Sequence, residues 1–236
     1  MTSDEALIVV ERLRVERGGR SILHDVQLTV AKGPPFAIVG PSGSGKTTLL
    51  FALAGLIRPA GGTTTIAGQH LDELPPRARA ARLGVVFQDF QLFPHLTVFE
   101  NLTLAPRLHA RPGYARAARA MLDELSIGAL ADRRPHQISG GQKQRVAIAR
   151  SLVLEPSVLF FDEPSAALDE GTTRELAELL LRLNERIQIV VVSHDRAFVE
   201  RCRSRGVRLE GGRIVAEGDT TAIFGPHDGT IASETG

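Results

Sequence analysis

The chain has 236 residues, 43% of them hydrophobic and 23% charged, with a mean hydropathy near zero. These are globular figures that exclude a disordered or membrane-embedded polymer and leave room for one domain with a sizeable core. The longest apolar run, LLFALAGLI at residues 49–57, is far short of the roughly 20 residues that span a bilayer, and the opening residues lack the basic head and apolar stretch of a secretory signal. A formal charge of +1 argues against a broad nucleic-acid surface, and a single cysteine, Cys202, fits a reducing compartment.

Read in chain order, LIVVERLRV and SILHDVQLTV alternate apolar and polar residues, predicting two or three short strands joined at Gly18-Gly19 and Lys32-Gly33. FAIVG (residues 36–40) is a continuous apolar strand, followed by a glycine-rich turn and a helix over TTLLFALAGLI. TTTIAGQHL reads as a hairpin arm and RLGVVFQ (82–88) as another strand. From about residue 97 to 130 the pattern turns helical and arginine-rich, broken at Pro106, Pro112 and Gly113, which suggests an inserted helical subdomain. A long amphipathic helix over 142–155 begins at Gly140-Gly141. SVLFFDE and IQIVVVS are buried strands separated by a helix, and GVRLEGGRIVAEGD is a hairpin turning at Gly211-Gly212. Buried strands alternating with helices predict an α/β fold with a mainly parallel sheet. From residue 219 the composition predicts a loose tail, too short to form a regulatory domain.

Three motifs carry chemistry. GPSGSGKTT (40–48) fits G-x-x-x-x-G-K-[ST]. Its glycines let backbone N–H groups turn around a polyphosphate at a helix start, Lys46 reaches the β and γ phosphates, and Thr47 can ligate Mg²⁺. Gly40, Pro41, Ser42, Gly43, Ser44, Gly45, Lys46, Thr47 and Thr48 are therefore the candidate ATP-binding residues. VLFFDEP (158–164) is an apolar strand ending in two carboxylates, with Asp162 placed to hold Mg²⁺ and Glu163 to deprotonate an attacking water. Between them, ISGGQKQRVAIAR (138–150) opens a helix with Ser139, Gly140, Gly141 and Gln142, whose hydroxyl, N–H groups and dipole favour a γ-phosphate.

That third stretch resembles the signature motif of ABC ATPases, with Ile138 in place of the usual leucine. Three more segments are similar to the family's motifs, in its order: Gln88 to the Q-loop glutamine near Mg²⁺ and the attacking water, SAALD (165–169) with Asp169 to the D-loop, and His194 to the switch histidine that contacts the γ-phosphate. The resemblance implies a P-loop NTPase of the ABC ATPase type. Its parallel core and antiparallel β arm would span about 5–90 and 150–218, its helical signature subdomain about 91–149, and its tail 219–236. Arg17 occupies the place where the family commonly stacks adenine on an aromatic ring. Its guanidinium offers a contact of about 0.5–2 kcal/mol against about 1–3 kcal/mol for a ring, so ATP binding is expected to be modestly weaker; the alternative leaves Arg17 solvated.

The family arranges two such domains head to tail, so the resemblance implies a second ATPase subunit, with Glu163, His194, Lys46 and Gln88 catalytic and Thr47, Gln88 and Asp162 at the metal. The stretch VVFQDFQLFPHLTVFENLTLAP (85–106) resembles polar amino-acid importer ATPases. That implies membrane permease subunits, a solute-binding protein, and a peripheral position on the cytoplasmic face of the membrane. Phe90, Leu92 and Phe93 would meet the permease, although Phe93 and Leu96 are better candidates for closing the helical core. An exporter or lipid-handling complex is the alternative, and a DNA-maintenance ATPase a distant one.

Overall fold

A computed structural model describes residues 6–166 and 168–225. Strands β1 (Ala6–Arg17) and β2 (Arg20–Ala31) form one long hairpin rather than several short strands. Its turn is Gly18-Gly19, with φ of 56° and 73°, a left-handed pair that glycine adopts without a Cβ clash. Irregular register within the hairpin accommodates the breaks in its apolar–polar alternation. Then follow β3 (Phe36–Val39), α1 (Lys46–Leu53), β4 (Gly61–Ile66), β5 (Gln69–His70), α2 (Pro76–Arg82) and β6 (Leu83–Val86). The helical stretch holds α3 (Val98–Leu108), α4 (Tyr114–Glu124) and α5 (Gly140–Leu152). The chain closes with β7 (Val158–Asp162), α6 (Glu170–Asn184), β8 (Gln188–Val192), α7 (Arg196–Arg201), β9 (Arg205–Glu210), β10 (Arg213–Asp219) and α8 (Thr220–Phe224).

Two sheets result. One is antiparallel in the order β2-β1-β4-β5; the other runs β10-β9-β3-β8-β7-β6, parallel except for the edge strand β10. The strands β3, β7 and β8 are buried at every position, which is why they read as unbroken apolar runs. Alternate residues serve different cores. Val158 and Phe160 face the layer made by α1 and the antiparallel sheet, while Leu159 and Phe161 face α3 to α6. Both phenylalanines are fully buried, so truncating either to alanine removes about 3–5 kcal/mol.

Several expectations need correction. Pro106 does not break the helix: α3 runs through it to Leu108 with the ring buried, at the cost of one backbone hydrogen bond near its end. The chain is also ordered beyond residue 218. Asp219 accepts from Ala222 N at 2.9 Å and caps α8, while Ile223 packs fully buried beside Ala37, Val39 and Val199. One apolar residue in a polar stretch is a weak composition signal but a firm packing anchor. Residues 226–236 of the expected tail lie outside the described residues. The short α2 and α7, each under two turns of helix, are absent from the sequence reading.

Candidate functional site

The strand order β3-β8-β7-β6 places the segments following these strands side by side at their carboxyl ends, where open α/β sheets bind ligands. The loop after β3 turns sharply at Gly40, φ 144°, where a Cβ would lie 2.1 Å from the carbonyl oxygen of Leu209. Gly45, φ 102°, precedes the first turn of α1, and a Cβ there would meet Leu23 Cδ2 at 3.0 Å. Only glycine fits both places. Lys46 is buried, and its Nζ donates to Gly40 O at 2.9 Å and Pro41 O at 3.0 Å. Ser44 Oγ is buried within the same loop without a hydrogen-bond partner. An ammonium and a hydroxyl are thus gathered beside the helix start, which suits a phosphate chain.

Thr47 Oγ1 donates to Asp162 Oδ1 at 2.9 Å, joining the loop to the end of β7. Burial pushes the Asp162 carboxyl above its ordinary pKa, opposed by the Thr47 hydrogen bond. Glu163 follows in left-handed backbone, φ 46°, and its N–H donates to Val192 O at 2.9 Å. Its Oε2 meets His194 Nδ1 at 2.9 Å and accepts the His194 N–H at 3.4 Å. The structure therefore brings Lys46, Thr47, Asp162, Glu163 and His194 onto three neighbouring strand ends. Gln88 stands exposed beyond β6, the next strand in the sheet.

The signature residues lie elsewhere. Ser139 caps α5: its Oγ accepts from Gln142 N at 3.3 Å, and its own N–H donates to Gln142 Oε1 at 2.9 Å. With Gly140, Gly141 and Asp169 these residues line a separate cavity of about 510 Å³ that includes no residue of the phosphate loop. Asp169 caps α6 through Thr172 N at 3.0 Å and Thr172 Oγ1 at 2.6 Å, contacts that hold its carboxyl below the ordinary range. Ala167, two residues before Asp169, lies outside the described residues. Arg17 is exposed at the end of β1 opposite Arg20, on the hairpin whose return strand covers Gly45. The apolar stretch after Gln88 corrects the sequence reading: Phe93 is 41% exposed, whereas Phe90 and Leu92 are partly buried against the helical core.

Two polar residues of α5 escaped the sequence reading. Gln144 is buried and donates from Nε2 to Pro164 O at 2.9 Å, and Arg150 reaches the carbonyls of Phe90 and Gln91. The signal was present: Gln144 shares an i, i+4, i+8 stripe with the buried Ile148 and Leu152. A polar residue on such a stripe requires a partner.

A family profile described as ABC transporter matches residues 23–166. The chain belongs to the ABC transporter ATP-binding family. It is 41% identical over 220 residues to the arginine transport ATP-binding protein ArtP of Escherichia coli, covering 89% of this chain and 90% of that one. It is 37% identical over 225 residues to ArtM of Bacillus subtilis, with 92% and 93% covered. It is also 38% identical to PhnT of Salmonella choleraesuis, described as a 2-aminoethylphosphonate import ATP-binding protein, over 96% of this chain but 62% of that relative's length. Among solved structures, cbiO1 of Clostridium perfringens, part of the cbiONQ transporter complex, superposes with TM-score 0.83 at 29% identity, with 92% and 90% covered. The dimeric bacterial ABC transporter cassette MJ0796 gives 0.80 at 32%, with 90% and 98% covered. This family carries the expected α/β fold with its antiparallel arm. Among the described residues, no helix is long and apolar enough to cross a membrane.

Proposed function

We propose that this chain is the ATP-hydrolysing subunit of a membrane ABC transporter that imports a small polar solute, with polar amino acids as the solute class. One observation carries the reading: the phosphate loop, the Thr47–Asp162 pair and the Glu163–His194 pair occupy adjacent strand ends. A triphosphate offers the Lys46 ammonium anionic oxygens in place of the Gly40 and Pro41 carbonyls. Thr47 and Asp162 are hard oxygen donors already paired at 2.9 Å, a sparse protein set of the kind Mg²⁺ accepts alongside water and phosphate, with Gln88 able to join them. When bound, the metal neutralises charge on the β and γ phosphoryl oxygens.

Glu163 accepts the proton of the attacking water as its oxygen bonds to the γ-phosphorus and the bridging oxygen leaves with ADP. His194, bonded to the same carboxylate, holds it in place and senses the γ-phosphate. Ser139, with Gly140, Gly141 and Gln142, lines a cavity without phosphate-loop residues, which supports a head-to-tail dimer in which Ser139 of a second copy completes each site. Arg17 lies on the hairpin over the loop and would supply the adenine contact. The exposed Phe93 face receives a permease segment, placing the chain on the cytoplasmic side of the membrane. The likeness to ArtP and ArtM supports a polar amino acid as the solute, and that to PhnT supports an aminophosphonate as the second reading.

The test is ATP hydrolysis by the purified chain with Mg²⁺. Glu163→Gln should retain ATP binding, accumulate a dimer visible by light scattering, and lose turnover by about a hundredfold or more. Near-native turnover in that variant removes Glu163 from the role of base. With its membrane subunits in lipid nanodiscs and the solute-binding protein present, arginine should stimulate hydrolysis; stimulation by 2-aminoethylphosphonate instead favours the second reading.

A further inference from the structure

Helix α5 hydrogen-bonds the segment after β6 through Arg150. Arg150 Nη1 donates to Gln91 O at 2.7 Å and Nη2 to Phe90 O at 2.9 Å, while its Cζ lies 5.9 Å from the centre of the Phe93 ring. The two carbonyls belong to consecutive residues in left-handed backbone, φ 61° and 43°. Neither is glycine, so each carries a Cβ–carbonyl clash that surrounding contacts must offset. The turn's own bonds, Phe90 N to Phe87 O at 3.0 Å and Gln91 N to Asp89 O at 2.7 Å, are local. The guanidinium supplies contacts from outside, strengthened by its charge, and its partial burial lowers the Arg150 pKa by desolvation.

Immediately downstream the loop is fastened again. Asn101 of α3, 1% exposed, accepts from Phe93 N at 2.9 Å and donates to Phe93 O at 3.2 Å. Residues 90–93 are thus fastened to α3 and α5, whereas Phe87 packs edge-on against Phe51 of α1 with ring centres 5.9 Å apart. Gln88 and Asp89 lie between these two attachments, and α5 is also tied to β6 just upstream through Ser151 Oγ, which donates to Val85 O at 3.0 Å.

We infer that Arg150 is a positioning residue: its two-pronged bond to the Phe90 and Gln91 carbonyls locks that turn to the signature helix and so fixes where Gln88, two residues upstream, is held. The inference rests on the placement of Gln88 at the metal and attacking water given under Proposed function. Lysine can reach the same place but offers a point charge rather than a planar fork, so it should serve only in part.

The test uses the full chain and two readouts, amide hydrogen exchange across residues 89–93 and steady-state ATPase kinetics. In Arg150→Gln, exchange should quicken and kcat fall, each by about tenfold, the ratio that corresponds to the cost of one left-handed residue, with KM for ATP within about twofold of native. Arg150→Lys should fall between. Gln91→Asn, whose short amide tolerates left-handed backbone, should leave turnover native when alone and restore much of it in Arg150→Gln. Native exchange in Arg150→Gln overturns the lock, and quicker exchange with native kcat overturns its role in positioning Gln88. Equal loss in the Lys and Gln variants, without recovery by Gln91→Asn, assigns Arg150 to folding alone and also overturns the proposal. Gln88→Ala serves as the control: native turnover there defeats the Gln88 assignment, while the exchange data still judge the lock.

Discussion

The phosphate loop and the signature turn both place glycines and a hydroxyl at a helix start, yet they are built in opposite ways. The loop is locked from several directions. Gly40 sits against β9, Gly45 lies under β2, Lys46 is tied to the loop's own carbonyls, and Thr47 is tied to β7. The signature turn is held by its own helix, through the reciprocal bonds of Ser139 and Gln142, and lines a groove between α5 and α6 that also takes in Leu168 and Asp169. A site enclosed by its own chain can be shaped for its ligand in advance. A capped helix start facing a groove is ready for a ligand delivered by something else, as the proposed head-to-tail dimer requires.

The largest expected effect falls on the locked side. Lys46→Ala should lower hydrolysis by about a hundredfold or more, the scale on which removing one preorganised charge-stabilising group acts. ATP titration of this variant should also show weakened binding. Unchanged affinity and turnover would deny the loop its phosphate role.

On the capped side, two substitutions of Ser139 separate stability from chemistry. Ser139→Ala removes the cap and should cost about 1 kcal/mol of stability, whereas Ser139→Gly should cost only a few tenths, read by chemical denaturation. Both lack the hydroxyl that a second copy's γ-phosphate would meet, so both should lose ATPase activity to a similar extent. If activity instead follows stability, with Gly near native and Ala impaired, the hydroxyl acts only as a cap.

The smallest effect concerns the buried carboxylate. The Asp162 pKa is raised in the fold, so the folded chain holds that proton more tightly than the unfolded chain, and stability falls as pH rises from about the ordinary 3.8 through the raised value. Without nucleotide at neutral pH, Asp162→Asn should therefore melt at or a few degrees above native, the gap closing as pH drops below the ordinary carboxylate range. Melting of the variant well below native would mean that the carboxylate stabilises the fold rather than being held there at a cost.

The buried strands, the phosphate loop and the paired carboxylates could be read from the chain because their signals are local. A strand covered on both faces must be apolar throughout, and a loop that wraps phosphate needs glycine at set spacings. The same locality explains what was misread. Whether Phe90 or Phe93 faces solvent depends on which one the helical layer covers, and that layer comes from α3 and α5, far along the chain. Ile223 anchors α8 because β3 and α7 happen to offer it a cavity, which a polar stretch of sequence does not announce.

The amino-acid order alone carried the family's motifs, their succession and the candidate residues for phosphate and metal. Folding decided that β8 enters between β3 and β7, bringing His194 to Glu163 across 31 positions of sequence. Folding also decided that Gln144 and Arg150 spend their polar groups on the backbone at Pro164 and at Phe90–Gln91. Hydrogen-bonding capacity is written in each residue, but the partner is set by where the packed layers bring the backbone within about 3 Å.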